Sequence, residues 1–299
     1  MLRSVFSASL KKSRYNMKKA NFFSYRDTPP PAETNQLPLL NVKCRVVESA
    51  DIKYILSHSK PGALVILDID DTIGRVSQTI GLDAWFRFRI QKYANEGHSD
   101  SEALANTIEI YNRAQLASRK MVDVDVNNPI AGLIQELKDN GVKVVALTAR
   151  NRALTDKTLS LLSALGVYFS DDVLTHGCLL INNKQVEIKN GVIFANGNNK
   201  GTCLEHVLDK DHFVSEFSSY SHISFVDDSK SNCDAIASSL ISLNVPDWSV
   251  WHYKYAEIHL AFKEEAQSRA TVQEAHLLKH DVLLTDEEAD NHSAQALFH

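Results

Sequence analysis

The chain has 299 residues, 44% of them hydrophobic, which is enough for a full core and excludes global disorder; the length fits two ordinary domains or one large core with an insertion. With 32 Lys and Arg against 37 Asp and Glu, the formal charge of −5 argues against a general nucleic-acid binder. Cys44, Cys178, Cys203 and Cys233 form no Cys-x-x-Cys pair, and no apolar run approaches the roughly 18 residues of a spanning helix, so a soluble protein in a reducing compartment is expected.

Residues 1–26 carry Arg3, Lys11, Lys12, Arg14, Lys18, Lys19 and Arg26 and no acid. They lack the apolar stretch of a cleavable secretory signal. The ordinary reading is a solvated tail; the alternatives are a transit peptide or a peripheral contact with anionic membrane. Pro29, Pro30, Pro31 and Pro38 then mark an extended linker, so residues 1–41 precede the folded core.

From residue 42 strand-like and helix-like segments alternate. A strand is expected at 43–47, a helix over 49–59, and a buried strand at 63–67. Residues 83–95 and 101–120 read as helices. Asn128-Pro129 opens another, with Asn as its cap and Pro in its first turn, running to Asp139-Asn140-Gly141. A second buried strand follows at 142–147, and a helix at 153–165 closed by Gly166. Short strands at 179–181, 186–188 and 192–194 are joined by Asn-Asn and Asn-Gly turns. A helix from about Lys200, a third buried strand at 223–226, a helix at 232–243, and a long helical region at 256–281 with an acidic end complete the chain. This alternation predicts an α/β fold, an open parallel sheet with helices on both faces.

The chemistry begins after the first buried strand, in Asp68-Ile69-Asp70-Asp71-Thr72. Ligands in open α/β sheets bind outside the carboxyl ends of the strands. Asp68 and Asp70 reach one small volume there, and a hard divalent cation such as Mg²⁺ would offset their repulsion and bind phosphate oxygens. Thr148 ends the second strand, Lys200 opens a helix, and Asp227-Asp228 follows the third strand. Each has an ordinary reading: an acidic turn, a capping Thr, a solvated Lys. Their order at successive strand ends points instead to one site.

This set resembles the haloacid dehalogenase superfamily of phosphohydrolases, over roughly residues 42–255. Asp68, Asp70 and Thr72 match its first motif, Thr148 the second, Lys200 the third, and Asp227-Asp228 the fourth. Three runs, Leu147-Thr148-Ala149-Arg150, Asn196-Gly197-Asn198-Asn199-Lys200-Gly201 and Phe225-Val226-Asp227-Asp228, are more narrowly similar to a subfamily formerly of unknown function, found in bacteria that live inside eukaryotic cells and including host-delivered effectors.

The resemblance implies a Rossmann-like core and a Mg²⁺-dependent phosphomonoester hydrolase acting through an aspartyl-phosphate. Asp68 would be the nucleophile and Asp70 the general acid and then base, with Thr148 and Lys200 holding the phosphoryl group. The metal would lie on Asp68, the Asp70 backbone carbonyl, Asp227 and Asp228, with Asn232 orienting that shell. The substrate would be a small phosphomonoester or a phosphorylated protein, phosphotyrosine included. The protein would act in a host cell after delivery, or else in the bacterial cytoplasm. Rivals are a phosphotransferase or mutase on the same intermediate and a non-catalytic binding protein on this fold.

Residues 73–126 separate the first motif from the next core helix and would form a small helical cap. Its Trp85-Phe86-Arg87-Phe88-Arg89 and Tyr93 are expected to pack the cap, with the arginines in water; the alternative is that they recruit a flat anionic substrate. His276 and His280 read as surface residues. The acidic Asp286-Glu287-Glu288-Ala289-Asp290 and the ending Leu297-Phe298-His299 are similar to effector translocation signals, against the ordinary reading of a frayed terminus.

Overall fold

The computed structural model describes residues 44–209, 212–214, 217–260 and 262–296. The basic segment 1–26, the proline linker and the ending Leu297-Phe298-His299 lie outside them. Elements in chain order are β1 (Cys44–Ser49), α1 (Ile52–Leu56), β2 (Leu64–Leu67), β3 (Gly74–Val76), α2 (Asp83–Asn95), α3 (Asp100–Ala117), β4 (Met121–Asp123), α4 (Ile130–Asp139) and β5 (Lys143–Thr148). They continue with α5 (Thr155–Ala164), β6 (Gly177–Ile181), β7 (Lys184–Lys189), β8 (Val192–Phe194), α6 (Lys200–Asp209), β9 (Ile223–Asp227), α7 (Lys230–Ser242) and β10 (Trp248–Tyr253). The helices α8 (Tyr255–His259), α9 (Glu264–His280) and α10 (Asp286–Ala296) follow.

The main sheet has eight strands in the order β1-β10-β9-β2-β5-β8-β7-β6. Pairing is parallel from β1 through β8, and β7 and β6 extend that edge as antiparallel strands. β2 is central and wholly buried because both its faces are covered. Val65 and Leu67 pack on one side with residues of α1, α4 and α5, and Leu64 and Ile66 on the other with residues of α6 and α7. Each such side chain contributes about 1.5–3 kcal/mol by leaving water.

After β2 the chain turns sharply at Asp71, whose φ of 53° is left-handed. It then enters the insert, where β3 pairs antiparallel with β4 at the base of α2 and α3. The C-terminal helices pack on this insert. Ile80, Trp85, Ile110 and Ala114 share one apolar cluster with Ala270, Leu277 and Leu283. Gln273, fully buried, accepts from the Ile80 N–H at 3.2 Å and donates to Leu284 O and to Asp286.

Several expectations are corrected. Asn128 does not cap α4: Pro129 takes that position, Asp123 Oδ1 accepts the Ile130 N–H at 2.8 Å, and Asn128 donates to Asp125. The helical region expected over 256–281 holds two helices, α8 and α9. The acidic stretch 286–290 is no frayed terminus. It lies in α10, where Asp286 accepts from Thr79 and Asp290 pairs with Arg269 at 2.7 Å. The strand β10 has no counterpart among the expected elements. None of the four cysteines is in a disulfide, and no helix among the described residues is long and apolar enough to cross a membrane.

Candidate active site

Strand register brings the acids together. Leu67 stands beside Ala146 of β5 and Val226 of β9, so Asp68 and Asp227, one residue on, and Thr148, two residues on, come to the same end of the sheet. The Asp68 N–H donates to Val226 O at 2.9 Å and continues the ladder into the site. Lys200 arrives from β8 at the start of α6, a turn held by Asn199 Oδ1 accepting the Thr202 N–H at 3.0 Å.

Lys200 is buried, and its Nζ donates to Asp68 and, at 2.6 Å, to Asp227. Burial works against its charge, but Asp227 and Asp68 beside it outweigh that and push its pKa up. Asp227 Oδ1 also accepts the Ser229 N–H at 2.8 Å, and Asn232 Nδ2 donates to both Asp227 oxygens. Thr72 Oγ1 accepts the Asp228 N–H at 3.1 Å and ties the first motif to the last.

Asp68, Asp227 and Asp228 each offer an oxygen within 4.8 Å of the others. Lys200 meets Asp68 and Asp227, and Arg87 Nη2 approaches Asp228 at 3.8 Å, so two cations face three carboxylates. Burial, helped by Asp227 and Asp70, drives Asp68 well above the carboxylate range despite Lys200. Burial with Asp68 and Asp227 nearby pushes Asp228 up to about 9. An all-oxygen donor set with excess buried negative charge fits a hard divalent cation. The Asp70 carboxylate is not in this cluster. It receives Arg150 Nε at 2.9 Å and Nη2 at 2.7 Å in a bidentate pair.

Thr148 is fully buried, accepts the Arg150 N–H at 3.2 Å, and is not among the residues lining the cleft above the site. That cleft has a volume of about 640 Å³. Asp68, Asp70, Lys200 and Asp228 lie along it, with Phe86, Leu104, Ile108 and Tyr111 from the insert. Of the insert's aromatic run, Phe86 reaches the cleft and meets Tyr111 edge-on at 5.3 Å. Trp85 is buried and Phe88 packs on Phe262. Arg89 is not in water: it is buried against Trp85 and Tyr93 and pairs with Glu274 at 2.8 Å. Arg87 is exposed, as expected, and pairs with Asp83 at 2.8 Å. His276 and His280 lie outside the cleft, with rings 4.6 Å apart.

A family model described as "Protein of unknown function (DUF2608)" matches residues 46–290, most of the chain. The protein belongs to that family. The match takes in the strands that build the site and, of the C-terminal helices on the insert, all of α9 and the first part of α10. A search of curated proteins finds no match. Two residues of the site, Arg150 and His252, carry no local sequence signal. Arg150 lies in a quoted motif run, but its partner is 80 residues away. His252, whose Nε2 donates to Asp228 O at 3.0 Å, sits on β10.

Proposed function

We propose that the protein is a divalent-cation-dependent phosphomonoester hydrolase that works through an aspartyl-phosphate on Asp68, within the haloacid dehalogenase superfamily. The observation that carries this reading is Asp68 at the end of the central strand, paired to Lys200 and grouped with Asp227 and Asp228 beside an open cleft.

An Asp68 oxygen attacks phosphorus, and the bond to the leaving oxygen breaks. Asp70 gives that oxygen a proton. It then takes one from the water that attacks the aspartyl-phosphate, releasing phosphate and restoring Asp68. Lys200 donates to Asp68, favouring its ionised form against the effect of burial, and faces the anionic phosphoryl group. Asn232 and the Ser229 N–H hold Asp227 in orientation. Mg²⁺ bound by Asp68, the Asp70 backbone carbonyl, Asp227 and Asp228 would neutralise charge on the transferring phosphoryl oxygens. Arg150 positions Asp70. Thr148, through its hydrogen bond to the Arg150 N–H, supports that loop rather than lining the cleft.

The test is turnover of phenyl phosphate with Mg²⁺, with chelator, and by Asp68→Asn. Wild-type activity should vanish with chelator, and Asp68→Asn should lose about 10⁴-fold or more in kcat while keeping its circular dichroism. An acid-quenched, hydroxylamine-sensitive phosphoprotein should form on the wild type alone. Wild-type rates in Asp68→Asn, or activity indifferent to chelator, would refute the mechanism. No turnover of any phosphomonoester would favour a binding protein, and transfer to an added alcohol instead of water a phosphotransferase.

A further inference from the structure

The cleft is chemically lopsided. On its insert side Phe86, Leu104, Ile108 and Tyr111 form an apolar surface beside Asp83 and Asn112, with Leu104 and Ile108 substantially exposed. Its basic residues are Arg150, Lys184 and Lys200. Arg150 is bound to Asp70, and Lys200 to Asp68 and Asp227. Among the described lining residues, Lys184 is the cation with no carboxylate partner. Its Nζ donates to the Gly197 carbonyl at 3.2 Å, which leaves two of its three N–H groups for other acceptors.

The position of Lys184 is built in. It opens β7 directly after the two-residue turn Asn182-Asn183, whose φ values of 50° and 62° are both left-handed. Such a turn fixes hairpin register, and Asn residues tolerate it. Asn182 Nδ2 also donates to Asn198 Oδ1 at 3.4 Å, and the Gly197 N–H donates to Ala149 O at 2.9 Å. The hairpin tip, the Gly197 loop and the Arg150 loop are therefore one connected wall, and Lys184 stands on it at one loop's remove from Asp70.

Resting on the hydrolase reading above, we propose that Lys184 is a specificity-determining residue that receives a second anionic group of the substrate, so that the preferred substrates are phosphomonoesters with an apolar body and a further negative charge. The phosphoryl group goes to the Asp68 end, the apolar body lies along Leu104, Ile108 and Tyr111, and the second anion meets Lys184. Without that cation, a second anion meets a cleft that holds Asp70, Asp83 and Asp228 and whose other cations, Arg150 and Lys200, are already paired.

The experiment compares phenylphosphonate with its 3- and 4-carboxy derivatives by calorimetry on the full chain with Mg²⁺. The proteins are wild type, Lys184→Met and Lys189→Met. Lys189 is at the other end of β7 and pairs with Asp156. At least one carboxylated isomer should bind the wild type about fivefold more tightly than phenylphosphonate, as a well-placed ion pair allows. That ratio should fall to near one in Lys184→Met and persist in Lys189→Met. A wild-type ratio of one, a ratio unchanged by Lys184→Met, or equal loss in both variants overturns the proposal. The corresponding phosphates separate it from the reaction. Binding preference without turnover removes the hydrolase and keeps Lys184; turnover without preference does the opposite.

Discussion

Arg150 gives its whole guanidinium to the interior: Asp70 accepts from Nε and Nη2, and Thr158 accepts from Nη1 at 3.0 Å. The rigid fork fixes the direction of Asp70, the group assigned first to protonate the leaving oxygen and then to deprotonate water. Arg150→Met should therefore harm reactions that need the donor most. Alkyl phosphates should lose about 10²-fold in kcat, while nitrophenyl phosphate, whose leaving group needs little protonation, should lose only a few-fold. A leaving-group series measures this, and equal losses along it would contradict the role. Asp227→Ala removes a carboxylate from the three-acid group and should raise the Mg²⁺ concentration for half-maximal turnover about tenfold or more. A titration of activity against Mg²⁺ that does not shift would sink the assignment. Asp68, Lys200 and Asp227 were legible because each follows or opens a strongly patterned element. Arg150 was not, since nothing local marks an ion pair formed across the fold.

The placement of Lys200 depends on two helices coming unusually close. A Cβ on Gly201 would lie 2.5 Å from Ala235 O and 2.6 Å from Ser239 Oγ of α7. Gly201→Ala should push α6 outward, cost about 1–3 kcal/mol of stability, and slow turnover by moving the neighbouring lysine. Chemical denaturation with parallel kinetics tests both; an unchanged midpoint would mean the helices part without strain. β10 shows why an element can be invisible in sequence. It carries Ser249 and His252 in a wholly buried strand, so no apolar run advertises it. Its polar groups are satisfied from far along the chain: His222 Nε2 lies 2.9 Å from Ser249 Oγ, and His252 donates to Asp228 O. The start of α4 misled for a related reason, because its capping carboxylate comes from Asp123, seven residues upstream.

Over the whole molecule, the insert is completed by the last helices of the chain. Gln273 joins them: its amide links the Ile80 N–H, Leu284 O and Asp286. Gln273→Leu should strand these buried groups and cost about 3 kcal/mol, read as a lowered unfolding midpoint. A midpoint within error of wild type would show that water replaces the amide. The alternation of strands and helices made the parallel sheet legible, and the helices of the insert with it. The closing contacts were not, because α9 and α10 are polar outside the few residues they bury.

The bond between Ile80 and Gln273 spans 193 residues. A ribosome adding about 5–20 residues each second takes roughly 10–40 s over that distance. Through that interval Trp85 and Ile110 on the nascent chain lack the surface that finally covers them. The insert is thus translated early and matures last, and during synthesis a chaperone or a protease meets it before its own C-terminal helices do.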